Sequence, residues 1–364
     1  MTKINCIETF TVKVPGKEYV YHGDIEISMF PHVILKVSTD EDIIGLGEAH
    51  AWPYLELPEG ELRIMCDYLI GKDPLEINLQ TICKIIEART GLRAYSGPAF
   101  EMALHDIVGK LRDVPVWKLF GGRFRDKVPV SYCMGDKPAE EAAKEAEEAV
   151  KRGFKAIKMK GWNAEEDVVR IKAVAEAAGP EVGIRIDANT GWERPSVVVK
   201  LAKQIENYNI ESFESPIPQW NLDAYALLRQ QINIPIMLHL SAPFEVVNAV
   251  KKEACDYINF GELASFYEVR TAAAIAETAG IPMELGSGYD SAIGDSATAH
   301  IAAATRNVTL PCDLIGNFLH EDDLVVEPIK IRDGYIEVSE KPGLGIELDE
   351  KAIEKYTVRK KSFP

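Results

Sequence analysis

The sequence predicts an α/β chain organised around a parallel barrel, and three observations carry that prediction. From about residue 128, seven short apolar strand candidates recur with starts 21–28 residues apart. Amphipathic segments such as "AEEAAKEAEEAVKRG" and "EEDVVRIKAVAEAAG" fill the intervals between them. This is the alternation of a parallel sheet wrapped by helices. Several of the strands also end in charged residues, at the positions where such barrels build their active sites.

The elements follow in order. Residues 1–60 alternate in the strand manner in "KINCIETFTVKV", "HVILKVSTD" and "IIGLGEA", because side chains on a strand point to opposite faces in turn. Residues 61–124 place apolar positions at helical spacing in "ELRIMCDYLIG" and "FEMALHDIVGKLR", and "GG" at 121–122 closes that region. The barrel strand candidates are 128–135, 155–161, 183–190, 210–216, 234–240, 255–260 and 281–286. The final "EPIKIRDGYIEVSEKPGLGIELDE" returns to strands and turns and is expected to rejoin the N-terminal region.

Composition bounds the function. The chain has 364 residues, 46% hydrophobic and 27% charged, with a net charge of −16. With no basic run, that balance argues against nucleic acid and anionic membranes as partners, while leaving room for an anionic small molecule at a local site. The six cysteines (Cys6, Cys66, Cys83, Cys133, Cys255, Cys312) include no C-x-x-C pair, as expected of a reduced cytoplasmic protein. The N-terminal "MTKINCIETFTVKVPG" reads as a strand rather than a signal sequence, and no apolar run approaches the ~18 residues of a membrane helix.

The charged strand ends carry the chemistry. In "KAIKMKG", Ile157 and Met159 share one face, and Lys158 and Lys160 the other. Lysine is rarely buried without a partner. Asp187, Glu214 and His239 stand at the ends of the next three strands, 27 and 25 residues apart. Adjacent strands lie ~4.8 Å apart, so these side chains can converge. Two carboxylates with one further ligand suit a divalent cation. The plainer alternative is a set of salt-bridged core residues, with the lysines neutralising the acids.

The combination of K-x-K, "RIDANTGW" and "FESPIP" resembles the enolase superfamily, in its mandelate racemase and muconate lactonizing branches. "FEMALHDIVGKLRDVPVWKLFGG" is similar to the helix that ends that superfamily's capping domain, with His105 in place of a usual Trp. "GIPMELGSGYDSAIGDSATAH" resembles its last barrel segments. The resemblance implies a (β/α)7β barrel over 126–324 and an α+β capping domain over 1–125, completed by 325–364. It also implies abstraction of a proton α to a carboxylate, with Mg²⁺ stabilising the enediolate. Lys160 would then be the base, and Lys158 would hold the substrate carboxylate and lower the pKa of Lys160. Asp187 and Glu214 would be metal ligands, and Asn189 would orient the site. The loops carrying His22, His50, Trp52 and Tyr54 match those that cover the substrate. Such enzymes are expected to be homo-oligomers acting on small carboxylates.

The chain departs from the family at the third ligand and at the second base. "IPIMLHLSA" puts His239 where an acid or Asn usually stands. As a ligand, its imidazole would favour Mn²⁺, Fe²⁺ or Zn²⁺ more than Mg²⁺ does; it could instead contact substrate, or be a core histidine. Gly261 and Gly286 fall where the two branches place opposite-face bases, and could leave room for a larger substrate. Asp290 matches an acid of the muconate branch. His32, His105, His300 and His320 read as structural. The leading expectation is dehydration of a hydroxy acid or acid sugar. The alternatives are a cycloisomerase or epimerase of a small carboxylate, including amino acid derivatives, and a catalytically impaired binding relative.

Overall fold

The computed structural model describes residues 2–364 except 21–25, 51–56, 263 and 287. The chain opens with an antiparallel meander, β1 (Ile4–Val20), β2 (Glu26–Thr39) and β3 (Ile44–His50). Helices α1 (Glu59–Leu69), α2 (Ile82–Thr90) and α3 (Gly97–Leu111) follow. Alternation along the strands sends Ile7, Val33, Leu35 and Val37 into one core with Leu62, Leu69, Ile86, Phe100 and Leu104 from the helices. Strand β3 lies directly on α3. A Cβ at Gly45 or Gly47 would come within 2.1 Å of the carbonyl oxygen of Ala103 or Ala99, so this close approach requires glycine.

After α4 (Val116–Leu119) the predicted strand at 128–135 divides into β4 (Lys127–Pro129) and β5 (Tyr132–Met134). Pro129 has no N–H with which to continue a ladder. The barrel then proceeds through α5 (Ala139–Lys151), β6 (Ala156–Lys160), α6 (Ala164–Ala178), β7 (Gly183–Asp187) and α7 (Pro195–Ile205). It continues with β8 (Ile210–Glu214), α8 (Leu222–Arg229), β9 (Ile236–Leu240), α9 (Pro243–Lys252), β10 (Tyr257–Glu262), α10 (Phe266–Thr278) and β11 (Met283–Gly286). Strands β5 to β11 are neighbours in sequence order, and all pair in parallel. Helix α5 shows why the flanking segments pack on this sheet: it buries Ala142, Ala146 and Ala149 on one side, an apolar stripe at helical spacing.

Helix α11 (Ala292–Ala304) is buried along its length. The segment after it closes the curled sheet. Asp313 N–H donates to the Leu285 carbonyl (3.0 Å), and Cys312 N–H donates to that of Pro129 (2.8 Å). Residues 308–313 thus lie between β11 and the β4–β5 edge, the eighth position of the ring. The chain ends with α12 (Gly316–Leu319), β12 (Ile331–Arg332), β13 (Tyr335–Glu337), α13 (Glu350–Tyr356) and β14 (Thr357–Phe363). Strand β13 pairs with β4, and β14 pairs antiparallel with β1, so the last strand completes the N-terminal sheet.

Two buried carboxylates join the N-terminal layer to the barrel by accepting from helix N-termini, where unpaired N–H groups favour negative charge. Glu48 of β3 accepts from the backbone N–H groups of Ser291 and Gly294 and from Ser291 Oγ at the start of α11. Glu101 of α3 accepts from Tyr267 N–H at the start of α10 (3.2 Å). Burial pushes the Glu101 carboxyl up to about 7, against the pull of its hydrogen bonds to Ser265 and Tyr267. His32, His105, His300 and His320 are all buried. His32 Nδ1 meets Glu48 at 2.7 Å, and His105 and His300 meet backbone carbonyls. No helix among the described residues is long and apolar enough to cross a membrane.

Candidate active site

Alternation along β6 turns Lys158 and Lys160 into the barrel, where they are 5% and 8% exposed. Lys160 stands beside Asp187, and Asp187 beside Glu214, in the parallel register of β6, β7 and β8. Lys158 Nζ reaches three carboxylates: Asp313 at 2.5 Å, Glu214 at 2.9 Å and Asp187 at 3.2 Å. Lys160 Nζ donates to Asp187 (2.8 Å) and to Asn189 Oδ1 (3.1 Å). The carbonyl of Lys160 accepts from Arg170, whose guanidinium also binds Asp167. This fixes the end of β6.

Acids set the electrostatics of Lys158. Burial alone would lower Lys158, but Asp187, Asp313 and Glu214 outweigh it and hold the ammonium well above the usual lysine range. Burial would raise Asp187, but Lys158 and Lys160 hold it below the usual carboxylate range. Asp313 is lowered in the same way, with Lys158 and Arg185 outweighing burial. Lys158 sits among more acids than sequence spacing reveals, and their attraction exceeds the cost of its burial.

Glu214 is held from two sides, by Lys158 on Oε2 and by Asn259 Nδ2 on Oε1 (2.8 Å). His239 enters from β9, with Nδ1 3.8 Å from Glu214 Oε1. Deeper in the barrel, Glu284 of β11 lies 2.5 Å from Arg185 Nη1, and burial raises its pKa well above the usual range despite that contact. Glu214, Glu284 and Asp313 bring carboxylate oxygens within 4.8 Å of one another. Hard oxygen donors gathered out of water fit a divalent cation of the Mg²⁺ kind. Strained backbone gathers at the same end of the barrel: Asn189, Thr190, Ser215 and Tyr289 all have positive φ (44°, 69°, 44° and 68°), as recurs at functional sites.

The structure therefore brings together Lys158, Lys160, Asp187, Asn189, Glu214 and His239. Asp290 is buried just before α11, and with Glu48 it raises the pKa of Asp295. His22, Trp52 and Tyr54 fall outside the described residues, as does the side chain of His50, whose backbone belongs to β3. A Cβ on Gly261 (φ +80°) would lie 2.6 Å from Ala264 Cβ, and one on Gly286 would lie 2.4 Å from Asn259 Oδ1.

Sequence reading missed Asn259, Glu284 and Asp313 beside the lysines and acids. Asn259 and Glu284 had a signal, each being a polar residue at an inward position of an apolar strand. Asp313 had little, because Pro311 interrupts its segment and no strand pattern marks it.

Comparison with known proteins agrees with this geometry. Residues 11–121 match the family described as mandelate racemase / muconate lactonizing enzyme, N-terminal domain, and residues 141–352 match enolase C-terminal domain-like. The chain is 30% identical over 367 residues to N-succinyl-L-Arg/Lys racemase of Bacillus cereus, covering 98% of each. The crystal structure of that racemase superposes with a TM-score of 0.90 over 100% of both chains. Muconate cycloisomerase 1 of Rhodococcus opacus is 29% identical, covering 97% of this chain and 98% of its own. The dipeptide epimerase of Enterococcus faecalis, solved with Mg and the dipeptide L-Leu-L-Tyr, superposes with a TM-score of 0.86 at 28% identity, over 95% of this chain and 99% of its own. These relatives carry the names of isomerases, not of the dehydratase that the sequence led us to expect. The chain belongs to the enolase superfamily, in its mandelate racemase and muconate lactonizing enzyme subgroup.

Proposed function

We propose that this enzyme is a cycloisomerase-type isomerase that moves one proton, through Lys160, to or from the carbon α to a carboxylate, on a single face of a small substrate. The observation that carries this reading is that both site lysines stand on β6, on one wall of the barrel. Strand β10 lies four positions from β6 in the eight-membered ring, directly across the barrel. Its Gly261 has a left-handed backbone, and a Cβ there would meet Ala264, so position 261 itself supplies no base. Exchanging the two configurations at one carbon needs a proton carrier on each face, whereas ring closure or opening needs one.

Lys158 would bind the substrate carboxylate, and Asn189 would orient the Lys160 ammonium. In the closing direction, a second carboxylate of the substrate adds through oxygen to the carbon–carbon double bond. The electron pair moves onto the first carboxylate as an enediolate, and Lys160 delivers a proton to the α-carbon and is left neutral. Opening is the reverse, with Lys160 taking the proton and the carbon–oxygen bond breaking. Asp187, Glu214 and His239 would hold the divalent cation at the strand ends. The deeper Glu284 is already matched by Arg185. When bound, the cation supplies positive charge opposite the enediolate oxygens, the largest electrostatic demand of such a reaction.

The test is product analysis by NMR in D₂O with Mg²⁺, using a panel of unsaturated dicarboxylates, their lactones, N-acyl amino acids and dipeptides. We expect deuterium at the α-carbon of one configuration only, with no inverted substrate. Lys160→Ala should lower turnover ~10²–10⁴-fold, the usual loss on removing a general acid or base. Rapid inversion at the α-carbon would overturn the one-face reading, and full activity of Lys160→Ala would overturn the assignment of the proton carrier.

A further inference from the structure

We infer that Gln219 is a positioning residue whose side-chain amide takes the place of a missing strand and holds His239 toward the metal. Strands β8 and β9 pair through Phe213–Ile236 and Glu214–Met237, and Ser215 N–H still donates to the Met237 carbonyl (3.0 Å). There β8 turns away, with Ser215 at φ +44°. In a parallel strand the N–H and C=O of one residue point to the same side. Both backbone groups of His239 therefore face a gap that β8 has left. Gln219 fills it: its Oε1 accepts from His239 N–H and its Nε2 donates to the His239 carbonyl, each at 2.9 Å. Ser215 Oγ donates to the same Oε1 (3.2 Å), which fixes the amide the right way round. On the other side, His239 is aligned with Asn259 of β10.

Only an amide of this length supplies an acceptor and a donor at once; a carboxylate of the same size accepts but cannot donate. Asn259 also bonds Glu214. The backbone of His239 and the carboxylate beside it are thus fixed by two side-chain amides. Groups that orient a ligand typically change metal affinity 10–100-fold when removed.

The inference rests on the reading of His239 as facing the metal, and the experiment separates the two. Co²⁺ is the probe, read by its visible absorption and by calorimetric titration, for wild type, Gln219→Ala, Gln219→Glu, His239→Ala and the double variant Gln219→Ala/His239→Ala. Gln219→Ala should weaken Co²⁺ about 10-fold and shift its spectrum. Gln219→Glu, which keeps size and acceptor, should fall between it and wild type and covers the case in which the alanine variant does not fold. In the His239→Ala background the Gln219 substitution should change nothing. Equal loss of affinity with and without His239 would mean that Gln219 is merely structural. An unshifted spectrum in Gln219→Ala alongside a shifted one in His239→Ala would overturn the positioning role alone. An unshifted His239→Ala would overturn the metal-facing reading and this inference with it.

Discussion

Replacing Lys158 with methionine tests whether the buried charges at the strand ends are mutually dependent. Methionine keeps much of the stem volume and removes the ammonium. Three carboxylates, from Asp187, Glu214 and Asp313, then lose a counter-ion that stood within 3.2 Å of each. All three are at most 3% exposed, so water cannot replace it. Breaking a buried ion pair costs about 3–5 kcal/mol, and we expect a loss in this range by urea denaturation in EDTA at neutral pH. A divalent cation can take over part of the lost compensation, and a ligand at 100 times its Kd stabilises by about 2.7 kcal/mol. Mg²⁺ should therefore restore more stability to Lys158→Met than it adds to wild type. A loss below about 1 kcal/mol in EDTA, or an equal Mg²⁺ effect in both proteins, would refute the reasoning.

Two further predictions concern parts of the fold around the site. Glu101 has a folded-state pKa raised from 4.5 to about 7, so the native state holds its proton more tightly than the unfolded chain. The favourable contribution is present below pH 4.5 and is lost as pH rises to about 7, by up to about 3 kcal/mol; Glu101→Gln should lack this decline, and parallel stability–pH curves would count against it. Gly261→Ala places a Cβ on a left-handed residue 2.6 Å from Ala264. It should cost at least about 1–2 kcal/mol by denaturation, and an unchanged midpoint would show that the opposite wall can accept a side chain.

Local pattern determined much of this protein. Because side chains alternate along a strand, Lys158 with Lys160, Asp187 and Glu214 could be assigned to the inner face from their spacing, and the seven strands follow the order in which the apolar runs occur. What the tertiary structure decided depends on residues far apart in the chain. Closure of the ring carries Asp313 to Lys158 across 155 positions, and no periodicity in its segment announces it. The charge state of Lys158 is a sum over all its neighbours, and Asp313, which joins Asp187 and Glu214 around it, was not legible in the sequence. Asp290 follows the last strand in sequence, and the start of α11 brings it close enough to Asp295 to raise the pKa of that residue. That a glycine, Gly261, stands on the strand across from the lysines was legible. That a side chain there would meet Ala264 was not, because a positive φ and the approach of Ala264 are properties of the folded backbone, and glycine in a sequence does not say which of its freedoms is used.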